Sequence, residues 1–163
     1  MISRAVEELM LENKSSMIIP AENVANVMSG NPLEHAFLVL SKAGYSKIPV
    51  LDKGDHFVGL LSLNDVVNKM LEIDGIDTTN LSEFSVADVM DTDVAIVREG
   101  CELEDLLHLL VDAPFLPVLD EHNIFKGIVT RREILKAVNR TFHELDKKRV
   151  PTEKLVFPAG LAK

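Results

Sequence analysis

Tryptophan is absent from this chain, tyrosine and cysteine occur once each, and basic residues are outnumbered by acidic ones, 17 to 26. Each shortage removes a class of protein. With Cys101 as the only cysteine no internal disulfide can form, which suits a reducing cytosol. A net charge of -9 argues against general nucleic-acid binding, which needs a basic surface to displace counterions. No apolar run approaches the ~18 residues of a membrane span. The stretch from Met1 to Glu8 lacks the continuous apolar segment of a secretion signal. The expected location is cytoplasmic, with neither membrane nor nucleic acid as partner. The five histidines, at 35, 56, 108, 122 and 143, show no metal-type spacing with acids or Cys101. There is no GxxxxGK loop and no nucleophile–base constellation, so neither catalysis nor a bound metal is expected. A local basic spot in so acidic a chain points instead to a small, defined anion.

What is present is enough for one sizeable core, or for two small units sharing one: 163 residues, 47% of them hydrophobic. Ala5, Val6, Leu9 and Met10 fall at helical spacing and predict an amphipathic N-terminal helix within 1–16. Met17-Ile18-Ile19-Pro20 reads as a docked turn because proline ends it. Val24-Ala25-Asn26-Val27-Met28 reads as a short strand. Asn31 is the expected N-cap of a helix over 32–43, with Pro32 at its first position, a stripe of Leu33, Ala36, Phe37 and Leu40, and Gly44 as its stop. Ile48-Pro49-Val50-Leu51 and Phe57-Val58-Gly59-Leu60-Leu61 form a hairpin, and Ser62 opens a helix that buries Val66, Val67, Met70 and Leu71. The order then recurs. Val86 to Met90 makes one helical turn and Val94 to Val97 a strand. Glu102 to Asp112 is a helix burying Leu103, Leu106, Leu107 and Leu110. Leu116 to Asp120 and Phe125 to Val129 form a hairpin, and 131–143 is a helix with Ile134, Leu135 and Val138 inward.

This is an internal repeat. Val24-Ala25 matches Val94-Ala95, Pro49-Val50-Leu51-Asp52 matches Pro117-Val118-Leu119-Asp120, Gly59 matches Gly127, and Ser62 matches Thr130. The second copy is two residues shorter before its hairpin, where Asp112-Ala113-Pro114-Phe115 replaces the longer loop around Gly44-Tyr45-Ser46. The Asp-, Thr- and Asn-rich stretch 73–84 is the expected linker, and 144–163 a loosely held tail.

A strand–helix–strand–strand–helix unit with an apolar-Pro-Val-apolar-Asp segment, followed by Gly-x-x-Ser/Thr-x-x-Asp, resembles the CBS motif, with Glu133 in place of the usual Asp in the second copy. Two in tandem resemble a CBS pair, also called a Bateman module. The resemblance implies an α/β fold in which two CBS motifs, each β-α-β-β-α, at 17–72 and 85–143, pack with pseudo-two-fold symmetry behind the N-terminal helix. It implies adenosine-containing ligands in the clefts between motifs, and flat homodimers. Asn31-Pro32-Leu33-Glu34-His35-Ala36, Gly44-Tyr45-Ser46 and Thr130-Arg131-Arg132 are further similar to the stand-alone CBS proteins of Gram-positive bacteria that bind cyclic di-AMP. That subfamily is cytosolic and modulates partner enzymes, including the bifunctional (p)ppGpp synthetase/hydrolase.

The residues themselves support two readings at each place. Thr130 with Glu133, and Ser62 with Asp65, match a capping box that satisfies a helix start. The same hydroxyls and carboxylates, facing a cleft, suit ribose or phosphate. Arg131 and Arg132 open a helix against its macrodipole, which a bound anion would reverse; the alternative is a solvated pair bridged to acids. Val24, Ala25 and Asn26 offer backbone groups to an adenine edge, or else make a plain core strand. Tyr45 suits stacking on a base, or a half-buried ring with a wet hydroxyl. Ser46, Lys47, Ile48 and Pro49 follow on the same loop and strand as candidate contacts implied by the resemblance. The expected site therefore joins Val24 to Asn26 and Tyr45 to Pro49 with Thr130, Arg131, Arg132 and Glu133. The opposite cleft, at Ser62 and Asp65, is expected to be weaker, narrowed by Pro114-Phe115. Cyclic di-AMP is the expected ligand, with AMP or ATP, or a ligand-free dimerisation module, as alternatives.

Overall fold

In the computed structural model the described residues are 7, 8, 10, 12, 17–72 and 75–147. Residues 7, 8 and 10 are helical and Glu12 is in a turn; the remaining residues of the expected N-terminal helix, and the tail from 148, lie outside the described residues. The elements run β1 (Ile18–Pro20), β2 (Val27–Met28), α1 (Leu33–Ala43), β3 (Lys47–Leu51), β4 (Phe57–Ser62), α2 (Leu63–Met70), β5 (Leu71–Glu72), β6 (Gly75–Ile76), α3 (Asn80–Glu83), β7 (Val97–Arg98), α4 (Leu103–Asp112), β8 (Phe115–Leu119), β9 (Phe125–Thr130) and α5 (Arg131–Lys147). Single 3-10 turns, Ala21–Asn23 and Val86–Asp88, precede β2 and β7.

The repeat is visible in the sheets. β2, β3 and β4 make one three-stranded sheet; β7, β8 and β9 make its counterpart, which β1 extends to four strands in the order β1-β9-β8-β7. In each copy the first strand runs parallel to the second and the hairpin is antiparallel, with a register irregularity at Val50/Leu51 and at Val118/Leu119. Met17-Ile18-Ile19-Pro20 is thus no docked turn. Ile18, Ile19 and Pro20 pair with Val129, Ile128 and Gly127 as an edge strand, where a proline lacking its N–H is tolerated.

That pairing crosses between copies. Met10 and Met17 belong to the core of the second copy, with Leu103, Leu106, Leu110, Leu116 and Ile134. Reciprocally, Leu81 and Val86 belong to the core of the first, with Leu33, Leu40, Ile48, Leu61 and Val66. Asp91, which leads into the second copy, bridges back to Leu60, N–H to O in both directions at 2.9 and 2.8 Å. Each copy therefore lends its leading segment to the other. Two glycines permit the close approach. A Cβ on Gly127 would sit 2.1 Å from the Ile19 carbonyl oxygen, and one on Gly59 would sit 2.6 Å from that of Asp91. A third cluster, of Val24, Leu51, Leu119, Phe125 and Ile128, fills the seam between the copies.

The hairpin turns meet on the same pseudo-axis. The Phe57 N–H donates to Asn123 O at 3.0 Å and the Phe125 N–H to Asp55 O at 2.9 Å, while the two rings stack with centroids 6.3 Å apart. Each turn is held by the aspartate of the repeated Pro-Val-Leu-Asp. Asp52 Oδ1 accepts from the Gly54 and His56 N–H groups, and Asp120 Oδ1 from those of His122 and Ile124. The amides of Gly54 and His56 hold the Asp52 carboxyl below its ordinary range. At Asp120 partial burial works upward, but the amides of Ile124 and His122 and the charge of Lys126 outweigh it. Both are depressed carboxylates, so what they add to stability is present above the ordinary carboxylate value and is lost as pH falls through the folded one.

Several local expectations change. Val24, Ala25 and Asn26 are not strand. The 3-10 turn closes on Val24, Asn26 Nδ2 folds back onto Val24 O at 3.2 Å, and pairing begins only at Val27. The second copy likewise pairs only from Val97, not from Val94. Pro32, not Asn31, occupies the N-cap of α1, and the Asn31 side chain instead accepts from the Met28 N–H. Leu71 leaves helix α2 for a two-residue strand and is half exposed, and Leu135 faces outward at 67% exposure. The stretch 73–84 is not plain linker: it contains β6 and α3, with Leu81 buried. Helix α5 runs on to Lys147, past the expected boundary at 143.

Gly127→Ala is expected to cost about 2–3 kcal/mol, since backbone rather than a flexible side chain opposes the new methyl group. Gly30→Ala, with open space around it, is expected to stay within about 0.5 kcal/mol. Urea unfolding of the two variants beside the parent measures the contrast.

Candidate functional site

The two helix starts that follow the glycine strands look alike in sequence and differ in chemistry. At Ser62 the box is closed. The Asp65 N–H donates to Ser62 Oγ at 3.0 Å, and Asp65 Oδ2 accepts from both the Ser62 N–H and the Ser62 hydroxyl. Ser62 is buried, and its hydroxyl proton is already taken. At Thr130 only half the box forms. The Glu133 N–H donates to Thr130 Oγ1 at 3.2 Å, but the Glu133 carboxylate bonds Lys136 Nζ at 2.8 Å instead of returning to the cap. The extra methylene of glutamate and a lysine three residues on, one helical turn away, explain the diversion. The Thr130 hydroxyl keeps its proton for another acceptor. Lys136 was missed by the sequence reading, although its i,i+3 spacing from Glu133 carried the signal.

The adjacent arginines separate in role. Arg131 turns back on the preceding helix: Nε donates to Leu110 O and Nη2 to Val111 O, both at 2.7 Å, and its backbone N–H donates to Pro114 O at 3.2 Å. The last carbonyls of a helix have no partners of their own, and α4 has no basic residue in its last turn, so Arg131 supplies both the donors and the positive charge. The expectation that Arg131 needs an anion to justify its place is corrected: it opposes the dipole of its own helix and satisfies that of another. Arg132 has no such outlet. Its side chain is exposed, and among the described residues it has no hydrogen bond or ion pair. Of the first three amides of α5, those of Arg131 and Glu133 are taken, which leaves the N–H of Arg132. The free guanidinium and the free helix-end amide belong to one residue.

The expected site residues converge in part. Val24 is buried in the seam with Ile128 and Phe115, and Phe115 pairs with Thr130, so the bent segment Val24-Ala25-Asn26 lies against the strand that ends at the arginines. Tyr45, Ser46 and Lys47 are exposed, Tyr45 at 52%, and Ser46 and Lys47, expected with the arginines, line the groove beside Ser62 and Asp65 instead. Ile48 and Pro49, expected as ligand contacts, are both fully buried, Ile48 in the core of the first copy.

The opposite cleft is not narrowed as expected. An open groove of ≈ 580 Å³ lies along Ser46, Lys47, Ser62, Asp65 and Asp91. A cavity of ≈ 200 Å³ adjoins it, lined by Asp93, Ala95, Asp112, Pro114 and Phe115 and sharing Lys47 and Asp91. Pro114 and Phe115 form its wall without filling it. Its charge is what disfavours phosphate: Asp65, Asp91, Asp93 and Asp112 face it against the single Lys47. Among the described residues no group of three His, Cys, Asp or Glu is placed to hold a metal ion, and no helix is long and apolar enough to cross a membrane.

Arg131→Ala is expected to lower stability by about 1 kcal/mol through the loosened end of α4, whereas Arg132→Ala stays within about 0.5 kcal/mol. Urea unfolding without ligand distinguishes the structural arginine from the free one.

Comparison with known proteins identifies the family. The family model described as CBS domain matches residues 6–72 and 86–140. Cyclic di-AMP receptor B of Bacillus subtilis (strain 168) is 34% identical over 147 residues, covering 90% of this chain and 100% of the relative. The solved structure of CbpB from Streptococcus agalactiae superposes with a TM-score of 0.82 at 31% identity, over 94% of this chain and 96% of that one. The Listeria monocytogenes CbpB protein, solved in complex with c-di-AMP, is 45% identical with a TM-score of 0.74, over 80% and 97%. With both copies matched by the family model and the whole length of a receptor covered, the chain belongs to the CBS-domain family, as a tandem CBS pair.

Proposed function

We propose that this chain is a cytosolic sensor of cyclic di-AMP that takes the nucleotide between its two CBS motifs and, according to occupancy, modulates a partner enzyme. The observation that carries the reading is the likeness over the full length of cyclic di-AMP receptor B, in a chain where the guanidinium of Arg132, without a partner among the described residues, opens the helix next to an open Thr130 hydroxyl. A phosphodiester at the start of α5 gains the Arg132 fork, the Arg132 N–H and the positive end of the helix. The Thr130 hydroxyl donates to a phosphate or ribose oxygen. The bent segment Val24-Ala25-Asn26, with its small central side chain, takes an adenine edge against its backbone, and Tyr45 lies ready to stack on a base. Glu133, held by Lys136, plays no direct part. The function is regulatory and not catalytic.

Regulation follows by linkage: the nucleotide acts only through its differential affinity for two states, and the partner reads the same difference. The resemblance implies a (p)ppGpp synthetase/hydrolase as the kind of partner. A homodimer has candidate contact surface in Leu38, Leu109, Val111, Leu135 and Phe142, exposed apolar residues on α1, α4 and α5.

Calorimetric titration with cyclic di-AMP, cyclic di-GMP, AMP and ATP tests the reading. Cyclic di-AMP is expected to saturate the protein and to bind at least about tenfold tighter than AMP, since a mononucleotide fills half the site. Arg132→Ala is expected to weaken binding about 10- to 100-fold, the loss of a charge-assisted contact. Binding that survives Arg132→Ala unchanged sinks the site assignment, and heat from none of the adenine nucleotides favours a ligand-free interaction module.

A further inference from the structure

We infer that Arg131 is a positioning residue that transmits occupancy at the start of α5 to the far end of α4; the inference rests on the nucleotide reading above. The comparison of the two copies isolates what is special about it. In the first copy the corresponding residue is Leu63, whose N–H donates to Ser46 O at 2.9 Å, just as the Arg131 N–H donates to Pro114 O. The backbone tie is common to both copies. The side-chain tie is not.

The shortened loop explains why it is needed. Helix α1 ends on Gly44 in the left-handed conformation, φ 69°, with its N–H on Leu40 O. Helix α4 lost that device with the deleted residues. It ends on Ala113 in extended conformation, with one N–H on Leu109 O, and has no basic residue in its last turn. The guanidinium of Arg131 takes two of the carbonyls left over, Leu110 and Val111. It uses the Nε–Nη2 edge of a fork with five donors, so donors on the Nη1 side remain, and an anion nearby does not have to pull it off the helix.

The consequence is mechanical. A ligand that fixes the first turn of α5 also fixes the anchor that holds carbonyls 110, 111 and 114. The segment held there has two exposed faces. Asp112, Ala113, Pro114 and Phe115 line the acid-walled cavity of the opposite cleft. Leu109 and Val111, 37% and 71% exposed, lie on the outer surface. One residue thus joins the start of α5, the wall of the acid-lined cavity and an apolar patch, and it does so in only one copy of the repeat.

Amide hydrogen exchange on the full chain, with and without saturating cyclic di-AMP, tests this in the wild type and in Arg131→Lys. Lysine keeps the charge but offers a point donor in place of a fork. The nucleotide is expected to slow exchange at Val111 to Ala113 about 3- to 10-fold in the wild type, the scale of one net hydrogen bond. In Arg131→Lys, saturated as judged by calorimetry, the slowing is expected to fall below about twofold. A cap with only a structural role raises exchange there in the variant with or without ligand, and leaves the wild type insensitive to ligand. No slowing in the saturated wild type, or equal slowing in both proteins, overturns the inference and leaves the nucleotide reading intact. Failure of the wild type to bind the nucleotide at all removes both.

Discussion

The fold depends on two backbone crossings. The Ile19 carbonyl passes where Gly127 would carry a Cβ, and the Asp91 carbonyl where Gly59 would. Each crossing lays the leading segment of one copy on the glycine strand of the other. Each copy then completes its partner's core, with Met10 and Met17 on one side and Leu81 and Val86 on the other. Neither copy buries its own apolar face alone, so the clefts between them exist only in the assembled pair. The side chains that could serve a ligand come from both copies for the same reason.

Within this symmetric frame the chemistry is asymmetric. The first copy closes its helix start on itself: Ser62 and Asp65 satisfy each other fully. The second leaves its start open: Glu133 is drawn to Lys136, and Arg132 has no partner among the described residues. The acids gather at the opposite cleft, around Asp65, Asp91, Asp93 and Asp112. A duplicated scaffold thus carries one helix start that presents a guanidinium and one groove lined with acids. The loss of two residues before β8 is part of the same divergence, since it removed a glycine cap from α4 and left its carbonyls to Arg131.

Much of the scaffold was legible in the sequence, because it is written in local signals. The short apolar runs Ile48 to Leu51 and Phe57 to Leu61, the repeated Pro-Val-Leu-Asp, Gly44 and the Ser62–Asp65 box each act within a few residues of where they stand. What was not legible is non-local. Ile18 to Pro20 looked like a turn because its partner, β9, lies more than a hundred residues away. Leu135 satisfied the helical period yet faces outward, since periodicity gives the width of an apolar stripe and not its edge. Arg131 and Arg132 looked equivalent because the acceptors that separate them, Leu110 O and Val111 O, belong to another helix. The opposite cleft was expected to close on the bulk of Pro114 and Phe115, whose placement as a wall depends on the strand pairing of Phe115 with Thr130.

If the divergence of the two copies directs the ligand to the start of α5, a crystal structure of the protein grown with cyclic di-AMP will show it. The expected result is one nucleotide per chain, with a phosphate on the Arg132 guanidinium and backbone N–H, an adenine against Ala25, and the groove along Ser62 and Asp65 free of nucleotide. Nucleotide seated in that acid-lined groove, with Arg132 left in solvent, would contradict it.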